Sequence, residues 1–149
     1  AVICVVERHK ATGNIAVAFA KGFHLKKGAM ASSVAHDHHN IIAIGTNYRD
    51  LARSVNRVIE LQGGQVVVGD GIVTAEVPLP ILGLMSLAPA EEVCQQASRL
   101  TTAAREIGCD LRWPLMFLSF VSCSSGPGYS ITDKGFLDGY HQRFIPVIA

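Results

Sequence analysis

The 149-residue sequence has little charge of either sign and no long apolar run. Charged residues make up 17% of the chain and the formal net charge is +1, so the charge balance does not favour nucleic acid or an anionic membrane as a partner. No apolar run reaches the roughly 18 to 20 residues of a membrane-spanning helix, and no pattern of a charged segment followed by an apolar one indicates export. Because 49% of the residues are apolar, we expect a single domain with a substantial core.

The sequence also lacks paired cysteines and the best-known nucleotide motifs. Its four cysteines show no metal-binding or redox spacing, and we expect reduced thiols in a cytoplasmic protein. The H-x-E and P-C-x-x-C signature is absent, which excludes the zinc nucleobase deaminases. A P-loop and a dinucleotide fingerprint are absent too. The chain begins at Ala1 without a methionine, so we expect it to be a piece of a longer protein.

What the sequence does have is a cluster of polar residues between two apolar runs. His36, Asp37, His38, His39 and Asn40 are consecutive, and the runs on both sides predict two buried strands that meet there. If the segment is extended, His36 and His38 share a face and could share a metal ion. If it forms a turn, His36 and His39 come together instead. Either geometry places imidazole beside carboxylate, which sets its tautomer and basicity.

A second polar group follows the first predicted strand. In an extended segment Glu7 and His9 share a face and form a possible acid–base or ligand pair, whereas Arg8 and Lys10 are expected in a solvated loop. The alternative for any of these histidines is a structural one, in which polar residues at a strand end bond to backbone and touch no substrate.

Apolar periodicity predicts an α/β or α+β fold with a mainly β-sheet core and two packed helices. The Asp70-Gly71 pair predicts a hairpin turn, and Pro78–Ser86 predicts an apolar segment against the core or another domain. The segment Trp113–Val121 predicts a strand, with a buried helical turn as the alternative. The expected strands lie near residues 2–6, 15–20, 30–35, 41–45, 65–77 and 115–121, and the expected helices near 47–62 and 89–107.

Several long motifs resemble the C-terminal region of bacterial and archaeal adenine deaminases. They are found at residues 7–15, 21–23, 31–42, 45–47 and 78–86, with shorter matches at 89–93, 118–120 and 137–138. Such long motifs are much more specific than a lone H-x-H, and they cover nearly the whole chain.

The resemblance implies a cytoplasmic, metal-dependent amidohydrolase that converts adenine and water to hypoxanthine and ammonia. It implies a divalent transition metal in the full enzyme (manganese or iron, or else zinc), a purine as the small-molecule substrate, and a homo-oligomer. The family's main metal centre lies in a TIM-type barrel, which needs about 250 residues and cannot fit in this chain. The barrel is therefore the expected partner, and we expect the isolated 149 residues to be inactive.

The resemblance leaves two roles open for the polar cluster. In the first, the domain supplies pocket residues to the barrel; in the second, it is a structural or oligomerisation module whose histidines are scaffolding. Relatives commonly carry serine at the position of His38, which favours the other members of the cluster. The candidate catalytic residues are His36, Asp37, His39, Asn40 and Glu7; the candidates for substrate contacts are His9 and Ser33, and those for metal binding are His36 and His38.

Overall fold

The computed structural model describes residues 1–148, and a six-stranded sheet forms its centre. All neighbouring strands in this sheet are antiparallel, and their order is β2-β1-β4-β3-β5-β6. The four inner strands are almost entirely buried, as expected for a sheet covered on both faces. The strands are β1 (Val2–Val6), β2 (Ile15–Phe19), β3 (Ala29–Ser32), β4 (Ile41–Gly45), β5 (Gly64–Gly69) and β6 (Ile72–Pro78).

Helix α1 (Tyr48–Glu60) covers one face of this sheet. It begins after Asn47, whose side-chain oxygen accepts a hydrogen bond from the Asp50 amide. Its apolar stripe packs on β3, β4 and β5, and Leu51, Val55 and Val58 join the core on that side. Because the helix lies over the centre of the sheet, β2 at one edge is left without a helix above it.

The opposite face carries the larger core and three further units. Helix α2 (Ala90–Glu106) packs on β5 and β6, and helix α3 (Pro114–Val121) packs on β3 and β4. A small antiparallel sheet of β7 (Tyr129–Thr132), β8 (Gly135–Asp138) and β9 (Arg143–Ile145) packs on β1 and β2. The domain is therefore a layered α+β structure.

Most of the sequence-based expectations are confirmed. The strands predicted near residues 2–6, 15–20, 30–35 and 41–45, the Asp70-Gly71 hairpin and both predicted helices are present, and residues 1–148 contain no closed barrel. Within the same range, none of the helices combines the length and apolarity needed to cross a bilayer.

The prediction of a strand at residues 115–121 is wrong, because this segment is helix α3 and the chain has three helices in its described part. Pro114 occupies the first turn, where its fixed φ favours a helix. Leu115, Leu118 and Ser119 are buried, whereas Met116 and Phe117 between them are exposed. This helix is apolar on its outer face as well, so the sequence shows no helical periodicity.

Two further expectations need correction near the ends of strands. β3 ends at Ser32 and does not continue to residue 35, because Val34 and the residues after it leave the sheet. After α3 the sequence analysis places no strand, but the chain forms β7, a turn at Thr132–Gly135, β8 and a third strand, β9.

Candidate functional site: the histidine corner

The connection between β3 and β4 holds the cluster of histidines, and we call residues 36–40 the histidine corner. Residues 36–38 form a turn that contains a cis peptide between His36 and Asp37. The His39 amide donates a hydrogen bond to the Ala35 carbonyl at 2.7 Å, and the His36 amide donates to the Ser119 carbonyl of α3 at 3.1 Å. The first bond closes the turn, and the second holds it against helix α3.

The turn brings His36 and His39 together, which confirms the turn geometry over the extended one. Their ring centroids are 5.8 Å apart, and the Phe120 ring lies 4.9 Å from that of His36. The extended arrangement, in which His36 and His38 share a face, is wrong because β3 has already ended. Two imidazoles and one aromatic ring thus form a continuous group beside α3.

His39 is held as a neutral hydrogen-bond donor. Its Nδ1 accepts a hydrogen bond from the Ala35 amide at 3.4 Å, so in the neutral ring the proton is on Nε2. Burial lowers the pKa of His39, and the proximity of His36 and of the Arg8 guanidinium lowers it further. At neutral pH this side chain offers an Nε2–H to whatever covers the corner.

His38 faces a different part of the molecule. Its Nδ1 accepts a hydrogen bond from the Asn40 amide at 3.1 Å, and its buried Nε2 has no partner among the described residues. Burial lowers its pKa more than the nearby Asp133 raises it. A polar cavity of about 300 Å³ lies here, between the corner and the β7–β8 turn.

Arg8 joins the corner to the loop after β6. Its Nε donates to the His39 carbonyl at 2.7 Å, and its Nη2 donates to the Leu82 carbonyl. Gly83 lies against the guanidinium so closely that a Cβ there would be 2.6 Å from Nη2. The expectation that Arg8 lies in a solvated loop is therefore wrong, since two separate chain segments depend on its side chain.

Glu7 and His9 stand beside the corner. The Glu7 carboxylate accepts hydrogen bonds from the amides of His9, Lys10 and Thr12, and these bonds lower its pKa to about 2. His9 Nε2 lies 2.7 Å from the His38 carbonyl oxygen. Glu7 therefore orders the turn that leads away from Arg8, and a catalytic role for its carboxylate stays a prediction.

The remaining candidates differ strongly in exposure. Asp37 is exposed and accepts a bond from Ser125 Oγ at 3.4 Å. Asn40 is buried; its Oδ1 accepts from the Arg8 amide at 3.3 Å and its Nδ2 donates to Asp133 at 3.0 Å.

Ser33 is fully buried, and its hydroxyl donates to the Gly83 carbonyl at 2.6 Å and accepts from the Gly64 amide at 2.8 Å. Substrate contacts by Ser33 and His9 stay predictions.

A complete metal site is not formed by the side chains that the structure describes. No three histidine, cysteine or acidic side chains converge within residues 1–148, and a protein metal site commonly needs three or more ligands. His36 Nδ1 is buried without a partner, but His38 faces the other way. Metal binding by His36 and His38 stays a prediction. The described side chains do not provide enough ligands to bind a metal ion on their own.

The surface around His36 and His39 is apolar and exposed. On one side lies the loop that Arg8 holds, with Leu82 72% exposed and Met85 53% exposed. On the other side lies the outer face of α3, where Phe117 is 50% and Phe120 54% exposed. We call these two flanks together with His36 and His39 the corner face. Grouped exposed apolar side chains are typical of interaction surfaces.

Sequence reasoning missed the roles of three residues at or beside the corner face: Phe120, Leu82 and Arg8. Phe120 was hidden because α3 was predicted as a strand, and Leu82 because nothing in the sequence shows which apolar loop residues turn outward. The residues around Arg8 do not indicate its role, because its hydrogen-bond partners are 31 and 74 residues away in the chain.

The fold and the corner define a class of protein: a small α+β domain that presents paired imidazoles on an apolar face. The family model described as adenine deaminase C-terminal domain matches residues 1–143. The chain is 45% identical over 147 residues to the adenine deaminase of Desulforamulus reducens, covering 99% of this chain and 25% of that protein. It is 51% identical over 136 residues to that of Brucella anthropi, covering 91% and 24%.

The adenine deaminase of Clostridium botulinum is 46% identical over 145 residues, covering 97% of this chain and 24% of that protein. The chain belongs to the adenine deaminase C-terminal domain family. It spans about a quarter of the length of the curated relatives it matches.

Proposed function

We propose that this chain is the C-terminal domain of an adenine deaminase and that its corner face closes the adenine pocket of a catalytic barrel outside this chain. The overall reaction is hydrolysis of adenine to hypoxanthine and ammonia. The sequence similarity to proteins named adenine deaminase supports the family. The corner face supports the role of the domain within it.

The residues of this chain suit recognition of a planar, nitrogen-rich base. His39 presents a neutral Nε2–H that can donate to a ring nitrogen of adenine. The ring centroid of His36 lies 5.8 Å from that of His39, so His36 can form a hydrogen bond with a second atom on the edge of the base. Phe120 offers an aromatic surface against the base. Because this chain does not form a metal site alone, the hydrolytic step and its metal ion are assigned to the barrel.

One observation carries the proposal: the paired rings of His36 and His39 lie in the middle of exposed apolar surface. Catalytic pockets commonly form where two domains meet. Covering the flanks at Leu82 and Phe117 with a barrel would bury apolar surface and exclude water from the imidazoles between them.

The test replaces each imidazole in the full-length enzyme. His36→Ala and His39→Ala should each lower kcat/KM for adenine by about 100-fold or more, since each removes a positioned hydrogen-bonding group. His24→Ala is the matched control, because His24 is exposed and pairs with Asp110 away from the corner. The control should retain wild-type turnover.

The structural alternative is favoured by one set of observations, the hydrogen bonds that Arg8, Ser33 and Asn40 make within the chain. In that case the corner is scaffolding for domain docking or assembly. His36→Ala and His39→Ala would then leave adenine turnover within a small factor of wild type while lowering the melting temperature. Measurement of both quantities on the same preparations decides between the two functions.

A further inference from the structure

Both residues that the Arg8 side chain binds have a left-handed backbone. Its Nε donates to the His39 carbonyl and its Nη2 to the Leu82 carbonyl, and φ is +49° at His39 and +57° at Leu82. Residues with a Cβ rarely adopt this conformation, because the side chain crowds the backbone. Each of the two residues therefore needs contacts that hold it in place.

The hydrogen bonds of Arg8 act on the part of the backbone that defines this conformation. The direction of a carbonyl group follows from the ψ angle of its own residue, so a donor fixed against the oxygen restricts that angle. Nε and Nη2 are two positions of one rigid, planar fork, and they bond carbonyls from two separate loops. The guanidinium thus fixes His39 and Leu82 relative to each other.

The backbone of Arg8 is itself anchored to the central sheet. The Glu7 amide donates to the Asn14 carbonyl at 3.0 Å, which continues the pairing of β1 with β2, and the Arg8 amide donates to Asn40 Oδ1 at 3.3 Å. Within residues 1–148 the guanidinium forms no ion pair with a carboxylate. The two carbonyls are therefore the acceptors that orient it.

The loop after β6 contacts the guanidinium through a residue without a side chain. A Cβ at Gly83 would lie 2.6 Å from Nη2 and 2.7 Å from Cζ of Arg8, much closer than atoms in van der Waals contact. The Gly83 carbonyl accepts a hydrogen bond from Ser33 Oγ at 2.6 Å. The loop therefore packs tightly on Arg8, and a side chain at position 83 would displace the guanidinium.

We propose that Arg8 is a positioning residue, which holds His39 and Leu82 in their left-handed conformations and so sets the distance between the imidazole and the apolar flank of the corner face. For turnover the inference rests on the proposed function, in which His39 meets the base and Leu82 lies beside it. Without Arg8, both residues relax to commoner backbone conformations. The imidazole and the flank then lose their fixed separation.

The first test compares Arg8→Ala and Arg8→Lys in the full-length enzyme by hydrogen exchange. Lysine keeps the charge, but its ammonium group is a single point and does not replace the two donor positions of the fork. Both variants should exchange the loop amides of Leu84 and Met85 at least about tenfold faster than wild type, because the loop opens more often. Exchange at the wild-type rate in both variants overturns the proposal, whatever the turnover shows.

The same variants are then assayed for turnover. Arg8→Ala and Arg8→Lys should each lower kcat/KM for adenine by about tenfold or more, because a small displacement of a positioned group is costly. Guanidinium chloride, far below the concentration that unfolds the enzyme, should restore part of the turnover of Arg8→Ala, since the free ion can donate to the same carbonyls. Sodium chloride at equal ionic strength should not. If Arg8 only added folding stability, guanidinium would lower turnover further, because it is a denaturant.

A variant on the other side of the contact leaves Arg8 unchanged. Gly83→Ala places a Cβ against the guanidinium and should reproduce both the faster exchange and the lower turnover. Gly22→Ala is the matched control, because Gly22 also has a left-handed φ, of +90°, but a Cβ there meets nothing within 4 Å. It introduces the same kind of backbone strain and should leave the loop amides and the turnover as in wild type. Equal effects of the two substitutions would contradict the proposal.

The outcomes separate this inference from the proposed function. If His39→Ala lowers turnover and the Arg8 variants do not, the proposed function stands and Arg8 is not a positioning residue. If His36→Ala and His39→Ala leave turnover unchanged while the Arg8 variants speed exchange in the loop, the proposed function fails. The holding of His39 and Leu82 by Arg8 then stands on the exchange rates.

Discussion

At the scale of single residues, the corner separates side chains that are adjacent in the sequence. His36 and His39 face α3 and the apolar flanks, while His38 points to the cavity beside the β7–β8 turn. Burial lowers the pKa of both His38 and His39, because a charged imidazole loses hydration there. Both rings are therefore neutral hydrogen-bonding groups at physiological pH.

These lowered pKa values predict a loss of stability in mild acid. Below about pH 6.5, the ordinary histidine value, the unfolded chain binds more protons than the folded one, so the free energy of unfolding falls as pH decreases toward the folded pKa values. Urea unfolding at pH 7.5 and at pH 5.5 should show the lower midpoint at pH 5.5.

The variant His38→Asn should weaken this pH dependence. Its amide oxygen can still accept from the Asn40 amide, but it does not titrate in this range. A midpoint that falls equally in wild type and variant would contradict the assignment to His38. His24→Asn, at an exposed site, serves as the control.

At the scale of secondary-structure elements, the loop after β6 is attached to the strands by side chains from outside it. Ser33 binds the Gly83 carbonyl and the Gly64 amide, and Arg8 binds the Leu82 carbonyl. This loop is apolar and has no regular ladder apart from one isolated bridge between Ile81 and Met85. Its position next to His39 therefore depends on these few polar contacts.

Removal of the Ser33 hydroxyl should loosen this loop. Ser33→Ala leaves a buried amide and a carbonyl without a partner, which should cost about 1 to 3 kcal/mol of unfolding free energy. Chemical denaturation measures the loss, and hydrogen exchange should show faster exchange at Leu84 and Met85.

The control for this prediction is Ser98→Ala on the exposed side of α2. Ser98 also bonds a backbone carbonyl through its hydroxyl, at 2.8 Å to Cys94, but it is exposed. Its loss should change stability by much less, since water can replace the hydroxyl. Equal effects of the two substitutions would show that Ser33 has no special part in holding the loop.

At the scale of the whole molecule, the two outer surfaces of the domain have different characters. The corner face has imidazoles among apolar side chains, while the β2 edge has unpaired backbone and no charge within the strand. Both surfaces are exposed in this chain, and about three-quarters of the relatives' length lies outside the matched region.

Under the proposed function, the corner face should hold the domain to the barrel. Phe117→Ser in the full-length protein removes apolar surface that is exposed in the domain, so the domain itself should remain folded. We expect faster proteolytic separation of the domain and a higher KM for adenine, because the pocket closes less often. Tyr140→Ser, at an exposed aromatic residue in the turn between β8 and β9, should change neither.

The sequence predicts those features of the structure that depend on residues close together in the chain. The inner strands, α1 and α2 follow from local apolar patterns and turn residues, such as Asn47 before α1 and Asp70-Gly71 between β5 and β6. Helix α3 was mispredicted because it is apolar on both sides. The sequence shows the cluster of histidines, but it does not show whether His36 lies next to His38 or next to His39.

The amino-acid sequence alone determined the family, the sheet-forming segments and the location of the polar cluster, because each is encoded by neighbouring residues. Only the tertiary structure decided that His36 pairs with His39 and Phe120, that Arg8 joins the corner to Leu82, and that β2 is an open edge. These features arise from contacts between residues tens of positions apart, and the order of strands in a sheet is set by packing of the whole chain.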